Sequence, residues 1–424
     1  MGYTLTEKLL LAHTSKRSIF PGEFIYVSVD LALANDITAP IAIKVLKENN
    51  IDEVFDPDRV VLVLDHFTPN KDIQSAEQCK FVEAFAKEKR IKHLFSPAGG
   101  NMGIEHILLP ERGLVLPGQL VIGADSHTCT YGALAAFSTG VGSTDFAYVL
   151  AEGKIWLRVP KTIKVIFYGK RKKYVFGKDL ILYFISKIGV DGANYMSLEF
   201  YDRVSPPLCM EERFTICNMV IECGGKNGLF PYDRITEEFV KFHSRKKYKV
   251  YHPDRGAKYE DVIEINVEGI SPQVALPSLP SNSVGVDKLE KKIYINQVVI
   301  GSCTNGWLYD LKIAAKILVG RRIHPDVRLI VIPATQEIYR QALKEGIIEI
   351  FTNAGAIISP PTCGPCLGGH MGILADGERC LATTNRNFVG RMGSTNSEVY
   401  LSSPAVAAAS AIAGYIISPE EIKK

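Results

Sequence analysis

Val298-Val299-Ile300-Gly301-Ser302-Cys303-Thr304-Asn305 is an apolar strand that runs directly into a thiol. Two other stretches repeat the design. Val60-Val61-Leu62-Val63-Leu64 ends at Asp65-His66, and Leu120-Val121-Ile122-Gly123-Ala124 ends at Asp125-Ser126-His127-Thr128. A continuous apolar run has no polar face, so it suits a strand covered on both sides. In open α/β sheets the C-terminal edge of such strands is where ligands bind. Working outward, a strand is expected around Phe24 to Val29 and helices at about Pro40 to Lys47 and Ser75 to Lys89. Strands at Val327 to Ile332 and Ala356 to Ile358 are separated by a helix around Gln336 to Glu345, and a last helix lies near Ala405 to Tyr415. The alternation predicts a mainly parallel α/β architecture.

A chain of 424 residues is too long for one ordinary core, so two or three domains are expected. Composition changes near Pro160, and Thr162 to Tyr168 alternates as a strand that opens a second region. The Pro- and Ser-rich stretch Ser271 to Asn282 reads as an extended linker. The expected units are 1–160, 161–284 and 285–424. Gly and Ala are frequent from Tyr131 to Val149, which allows close helix packing.

Hydrophobic content of 46% and charged content of 22% are those of a folded soluble protein, and a net charge of +3 argues neither for nor against nucleic acid, while an anionic small substrate would need only a local basic site. The basic runs Lys170 to Lys173 and Arg245 to Lys247 are short and read as solvated turns, not a nucleic-acid site. Apolar runs are strand-length, well short of the roughly 20 residues of a membrane span. With no signal-peptide pattern at the start, a cytoplasmic location is expected.

Nine cysteines, an odd number without a secretory signal, point to metal or cluster binding before disulfides. Cys363 and Cys366 form a Cys-x-x-Cys within Pro361-Thr362-Cys363-Gly364-Pro365-Cys366-Leu367-Gly368-Gly369, and Cys303 supplies a third thiol at a strand end. Three thiolates are one short of the usual set for a cubane cluster, which would leave one iron open to water or substrate. Spacing alone leaves zinc equally open, with His370 or Cys380 completing the site.

The polar strand ends shift that balance. Asp65-His66 and Asp125-Ser126-His127 are carboxylate–imidazole pairs, and His106 follows the Gly-rich loop Gly99-Gly100-Asn101-Met102-Gly103. A carboxylate beside an imidazole stabilises the imidazolium and fixes its orientation, giving a proton donor usable near neutral pH. Arg386 and Arg391 in Thr384-Asn385-Arg386-Asn387-Phe388-Val389-Gly390-Arg391 suit a loop that clamps a carboxylate through paired N–H donors.

Gly-Ala-Asp-Ser-His-Thr, Gly-Ser-Cys-Thr-Asn, the Cys-Gly-Pro-Cys turn and Asn-Arg-Asn-Phe-x-Gly-Arg together resemble the aconitase superfamily of cluster-dependent hydro-lyases, in the right order from about Glu7 to Tyr415. The resemblance implies three α/β domains packed around a central cluster cleft, without the fourth, swivelling domain of single-chain members. A separate small subunit would supply that domain in a heterodimer or heterotetramer. It would bring a serine base and the loop that selects the substrate side chain.

The resemblance further implies one [4Fe-4S] cluster on Cys303, Cys363 and Cys366. Acid and charge-relay pairs would be Asp65 with His66, His106 with Asp125, and His127 with Glu222. Ser126, Asn218, Asn305, Asn385, Arg386 and Arg391 would line the substrate. Ile107 after His106, Trp307 after the thiol motif, and the lack of Gln near Ala39-Pro40 depart from the family pattern on the substrate side. The implied reaction moves a hydroxyl between adjacent carbons of a di- or tricarboxylate. The nearest branch isomerises 2-isopropylmalate to 3-isopropylmalate in leucine biosynthesis, or methylmalate and citramalate for isoleucine. Conversion of homocitrate is the near alternative. A cluster-free RNA-binding relative and an electron-transfer or zinc protein are the more distant ones.

Overall fold

The computed structural model describes residues 2–422. The first sheet has the spatial order His93–Phe95, Val60–Val63, Leu31–Asn35, Leu120–Gly123, Phe137–Gly140, all parallel. We label Leu31–Asn35 β1, Val60–Val63 β2 and Leu120–Gly123 β3; each is buried along its whole length. Helices Ala39–Glu48 and Ile73–Glu88 lie close to the expected spans. From β1 the chain builds outward to β2 and its edge neighbour, then returns to the other side through β3. The strand order therefore reverses at β1, and the crevice at such a switch point is where α/β sheets bind ligands. The segments leaving β1, β2 and β3 carry Asp36, Asp65-His66 and Asp125.

The second sheet is parallel, in the order Asn227–Leu229, Ser197–Ser205, Thr162–Lys170, Asp261–Asn266. Its core is aromatic: Phe200 stacks on Phe167 and Phe230 at 6.0 and 5.4 Å and meets Phe184 edge-on at 6.1 Å. Rings in these arrangements add about 0.5–1.5 kcal/mol per pair beyond their burial.

The third sheet has seven strands, in the order Ser283–Gly285, Gln273–Ala275, Glu398–Ser402, Arg379–Ala382, Gln297–Ile300, Arg328–Val331, Ile357–Ile358. Gln297–Ile300 (β4) and Arg379–Ala382 (β5) are parallel neighbours, so their C-terminal ends lie side by side. One end leads into Cys303 and the other into Asn385-Arg386. The parallel α/β reading therefore holds. Among the described residues no helix is long and apolar enough to cross a membrane.

Four local expectations need correction. The stretch Ser271 to Asn282 is not a free linker, because Gln273–Ala275 pairs antiparallel with both Ser283–Gly285 and Glu398–Ser402. These strands join the third sheet ahead of position 285, and prolines around them mask the strand signal. Strand β1 was not anticipated, since Leu31-Ala32-Leu33-Ala34 has neither β-branched residues nor alternation. The Gly- and Ala-rich stretch, expected to serve helix packing, begins inside a 3-10 run, Ser126–Leu134, and becomes helical only at Ser143–Glu152. Its close approach is to backbone: a Cβ on Gly132 would stand 1.6 Å from the Gly228 carbonyl oxygen. Arg171 is no solvated turn residue but pairs with buried Glu212 and donates to the Pro206 and Pro207 carbonyls.

Candidate active site

Fourteen residues converge on one small cavity of about 50 Å³: Asp65, His66, Ile104, Glu105, His106, Asp125, Ser126, His127, Cys303, Cys363, Cys366, Asn385, Arg386 and Arg391. The first-sheet edge supplies the acid–base groups and the third-sheet edge the thiols and arginines.

Asp36, just past β1, organises the turn after β2. Its carboxylate accepts the backbone N–H groups of Asp65, His66 and Phe67 at 3.2, 2.9 and 2.8 Å. That turn presents His66, whose Nδ1 donates to Asp65 Oδ1 at 2.6 Å. Burial works against charging His66, but Asp65 first, then Asp36, overcome it and hold its pKa well above 6.5. The other Asp65 oxygen accepts the Glu105 backbone N–H at 2.8 Å, which seats the start of the helix Glu105–Glu111.

His106, on that helix, donates from Nε2 to Asp125 at 2.8 Å, and its Nδ1 lies 3.1 Å from the Tyr131 hydroxyl. Asp125 also caps the 3-10 run by accepting the His127 N–H at 2.8 Å. Burial opposes its charge, yet hydrogen bonds and charge from His106 and His127 hold its carboxyl well below the usual range. His127 donates from Nε2 to Glu222 at 2.8 Å, and its Nδ1 meets Ser126 Oγ at 3.4 Å. Burial and Arg386 lower the His127 pKa, while Asp125 and Glu222 raise it to a net increase. Glu222 Oε1 also accepts Arg386 Nε at 2.8 Å. Of the three cavity histidines, only His66 therefore has a ring nitrogen, Nε2, with no hydrogen-bond partner among the described residues.

The thiols sit on the opposite wall. After β4 the chain turns sharply, with Gly301 at φ 145° and Ser302 in the left-handed region at φ 76°. A non-glycine residue there costs about 1–2 kcal/mol, held here by Thr383 Oγ1, which both accepts from Gly301 N and donates to its carbonyl. The turn points Cys303 inward, where Asn218 and Asn385 donate amide N–H to its sulfur at 3.3 and 3.4 Å. Cys363 donates its backbone N–H to the Asp65 carbonyl at 2.8 Å. A hydrogen bond from Cys363 draws the Cys366 thiol well below 9 while raising Cys363, and Arg391 and His127 further favour a thiolate at Cys366.

This donor set fits an iron–sulfur cluster. Three thiols face one buried cavity, and amide donors already aim at sulfur, as they would at a thiolate ligand. The residues weighed as completing a zinc site do not reach the cavity. His370 directs Nε2 to the His66 carbonyl at 3.0 Å, and Cys380 is buried within β5.

Most residues singled out from sequence meet here. Glu222 and Asn218 stand just behind His127 and Cys303. Asn305 turns away, its amide donating to Asp310 at 3.0 Å. Trp307 is also outside, stacked on Phe214 at 5.2 Å. Sequence reasoning missed Asp36, Glu105 and Lys178. Asp36 was detectable as another acid at a strand end, had β1 been seen. Lys178 is buried, and its Nζ donates to the Thr383 carbonyl at 2.8 Å and to that of Thr384, fixing the backbone just before Asn385. No local signal marks it.

Thiols, buried acid–base pairs and paired arginines at the meeting edges of parallel sheets mark an enzyme site, with a thiol set that fits a metal cluster. The comparisons agree. The family model described as Aconitase family (aconitate hydratase) matches residues 7–294 and 287–414. The chain is 60% identical over 419 residues to the 3-isopropylmalate dehydratase large subunit of Caldicellulosiruptor bescii, covering 99% of this chain and 97% of that one. It is 60% identical to proteins of the same name from Thermodesulfovibrio yellowstonii and Moorella thermoacetica, covering 100% of both chains in each case. The chain belongs to the aconitase family.

Proposed function

We propose that this chain is the large subunit of a hydro-lyase that isomerises 2-isopropylmalate to 3-isopropylmalate by dehydration and rehydration, as in leucine biosynthesis. One observation carries the reading: three thiols and a charged His66–Asp65 pair line the same buried cavity. The substrate and the separate small subunit follow from full-length relatives at about 60% identity that are named large subunits of that dehydratase. Three sheet-centred units, corresponding roughly to 1–160, 161–284 and 285–424, would close around the cavity.

Cys303, Cys363 and Cys366 would hold a [4Fe-4S] cluster, whose iron without a protein ligand supplies Lewis acidity toward a substrate hydroxyl and carboxylate. His66 then donates the proton that lets the hydroxyl leave as water. Its Nδ1 is committed to Asp65, so the proton comes from Nε2. Arg386 keeps Nε on Glu222 and turns its remaining N–H groups to a substrate carboxylate, with Arg391 beside Cys366. His106 and His127 have both ring nitrogens engaged and serve to fix Asp125 and Glu222. The small subunit contributes the base that takes the carbon-bound proton, so the large subunit by itself is an incomplete catalyst.

Anaerobic reconstitution with the small subunit tests this, comparing turnover of isopropylmalate, citramalate and homocitrate. Isopropylmalate should turn over fastest. Turnover of homocitrate alone, or a purified complex that holds zinc without iron, would sink the proposal.

A further inference from the structure

Glu105 takes no part in the reaction described so far, yet it lines the cavity and is buried to 1% exposure. Each neighbouring carboxylate has donors that satisfy a charge. Asp65 bonds His66 and the Glu105 N–H, Asp125 bonds His106 and the His127 N–H, Glu222 bonds His127 and Arg386, and Asp36 takes backbone N–H groups. Glu105 has a single neutral donor, Asn35 Nδ2 at 3.1 Å to Oε1. The nearest cationic candidate, His106 Nε2, is 3.6 Å from Oε1 and already donates to Asp125. Oε2 is buried with no hydrogen-bond partner among the described residues.

The charges around it decide its state. Facing one another are the carboxyls of Asp36, Asp65, Glu105, Asp125 and Glu222 and the bases His66, His106, His127 and Arg386, with the Tyr131 hydroxyl between His106 and the Glu105 carbonyl. Each cation is already committed elsewhere: His66 to Asp65, His106 to Asp125, His127 and Arg386 to Glu222, and Arg391 to the Cys366 thiol. A buried carboxyl without a cation is the one least costly to neutralise. Burial first, then Asp65 and Asp125, raises the Glu105 pKa well above 4.5. A neutral carboxyl has an O–H that must donate, and Oε2 is the free oxygen.

Resting on the reading above, we propose that Glu105 is a substrate-binding residue, a protonated acid whose Oε2–H donates to a carboxylate or hydroxyl oxygen of the malate-type substrate. A charged carboxylate in that place would instead repel an anionic substrate. Sequence alone did not single it out, because a Glu preceding a His on a short helix looks like a solvated first-turn acid.

The test uses the reconstituted two-subunit enzyme. Infrared spectra of wild type minus Glu105→Gln at neutral pH should show a protonated-carboxyl band. Its absence would overturn the proposal, whatever the activity. Glu105→Leu should raise KM for isopropylmalate about 10- to 100-fold, the loss of one hydrogen bond to a charged group. Glu105→Gln keeps an N–H donor there, so it should raise KM by less and remove the alkaline rise in KM that accompanies Glu105 ionisation. An unchanged KM in Glu105→Leu refutes the role. Should Glu105→Leu fail to fold, the infrared difference and the Glu105→Gln pH profile still decide. Failure of wild type to turn over isopropylmalate, with the carboxyl band present, would count against the substrate assignment and not against the protonation of Glu105.

Discussion

The carbonyl oxygen of Asp65 accepts the backbone N–H of Cys363 at 2.8 Å, so the His66–Asp65 pair and the Cys-x-x-Cys turn are tied through one hydrogen bond. The Thr362 hydroxyl donates to that oxygen as well, at 2.9 Å. One wall of the cavity cannot shift without the other. Thr362→Val removes one of the two donors and should cost about 1 kcal/mol of stability. The measurement is the unfolding midpoint, together with the rate of iron loss from the reconstituted protein, which should rise. A variant with unchanged stability and iron retention would show that the tie is redundant.

Iron content separates the cysteines into two groups. Cys303→Ser, Cys363→Ser and Cys366→Ser should each lose most iron and sulfide after anaerobic reconstitution, since each thiol lines the cavity. Cys217→Ser and Cys380→Ser should retain it, because those thiols are buried elsewhere in the core. Iron loss from Cys380→Ser equal to that from Cys363→Ser would contradict the ligand assignment.

Asp65→Asn probes the acid. Asp65 is the main influence raising the His66 pKa against burial. Removing its charge should lower that pKa, so the fraction of His66 protonated at neutral pH falls. The alkaline limb of the kcat profile should move to lower pH, and kcat should drop about 100- to 10,000-fold, the range for a general acid. A variant whose limb stays in place would transfer the acid role to another group.

Lys178 links stability to pH. Burial pulls its pKa down from 10.5 to about 7, partly offset by the thiols of Cys303 and Cys366. In the cluster-free chain the unfolded state therefore binds the extra proton between about pH 7 and 10.5, and this site's contribution to stability rises with pH across that window. Lys178→Met should flatten the rise. It should also cost about 1–3 kcal/mol at neutral pH by leaving the Thr383 and Thr384 carbonyls without their shared donor. Denaturant unfolding at several pH values measures both effects.

Much of the fold is visible in local patterns. Val60 to Leu64, Leu120 to Ala124 and Val298 to Ile300 read as covered strands because their apolar runs leave no polar face, and each ended where expected within a residue or so. The chemistry at their ends was visible for the same reason: a polar pair after such a run has to lie at the sheet edge. Leu31–Asn35 was hidden because Leu and Ala carry no strand bias, and Gln273–Ala275 because the flanking prolines suggest a linker.

By itself the sequence determined the identity of the chemical groups: three thiols, three histidines with acids, two arginines, and the strands that carry them. Tertiary structure decided how they act. Spacing cannot tell which histidine keeps a free nitrogen, because the partners of His106 and His127 come from Asp125, Tyr131, Ser126 and Glu222, most of them distant in sequence. Nor can it reveal Lys178 under Thr383, or a lone carboxyl at Glu105 amid satisfied ones. Those properties depend on burial and on which charges meet, and both arise only when the edges of separate sheets close on one another.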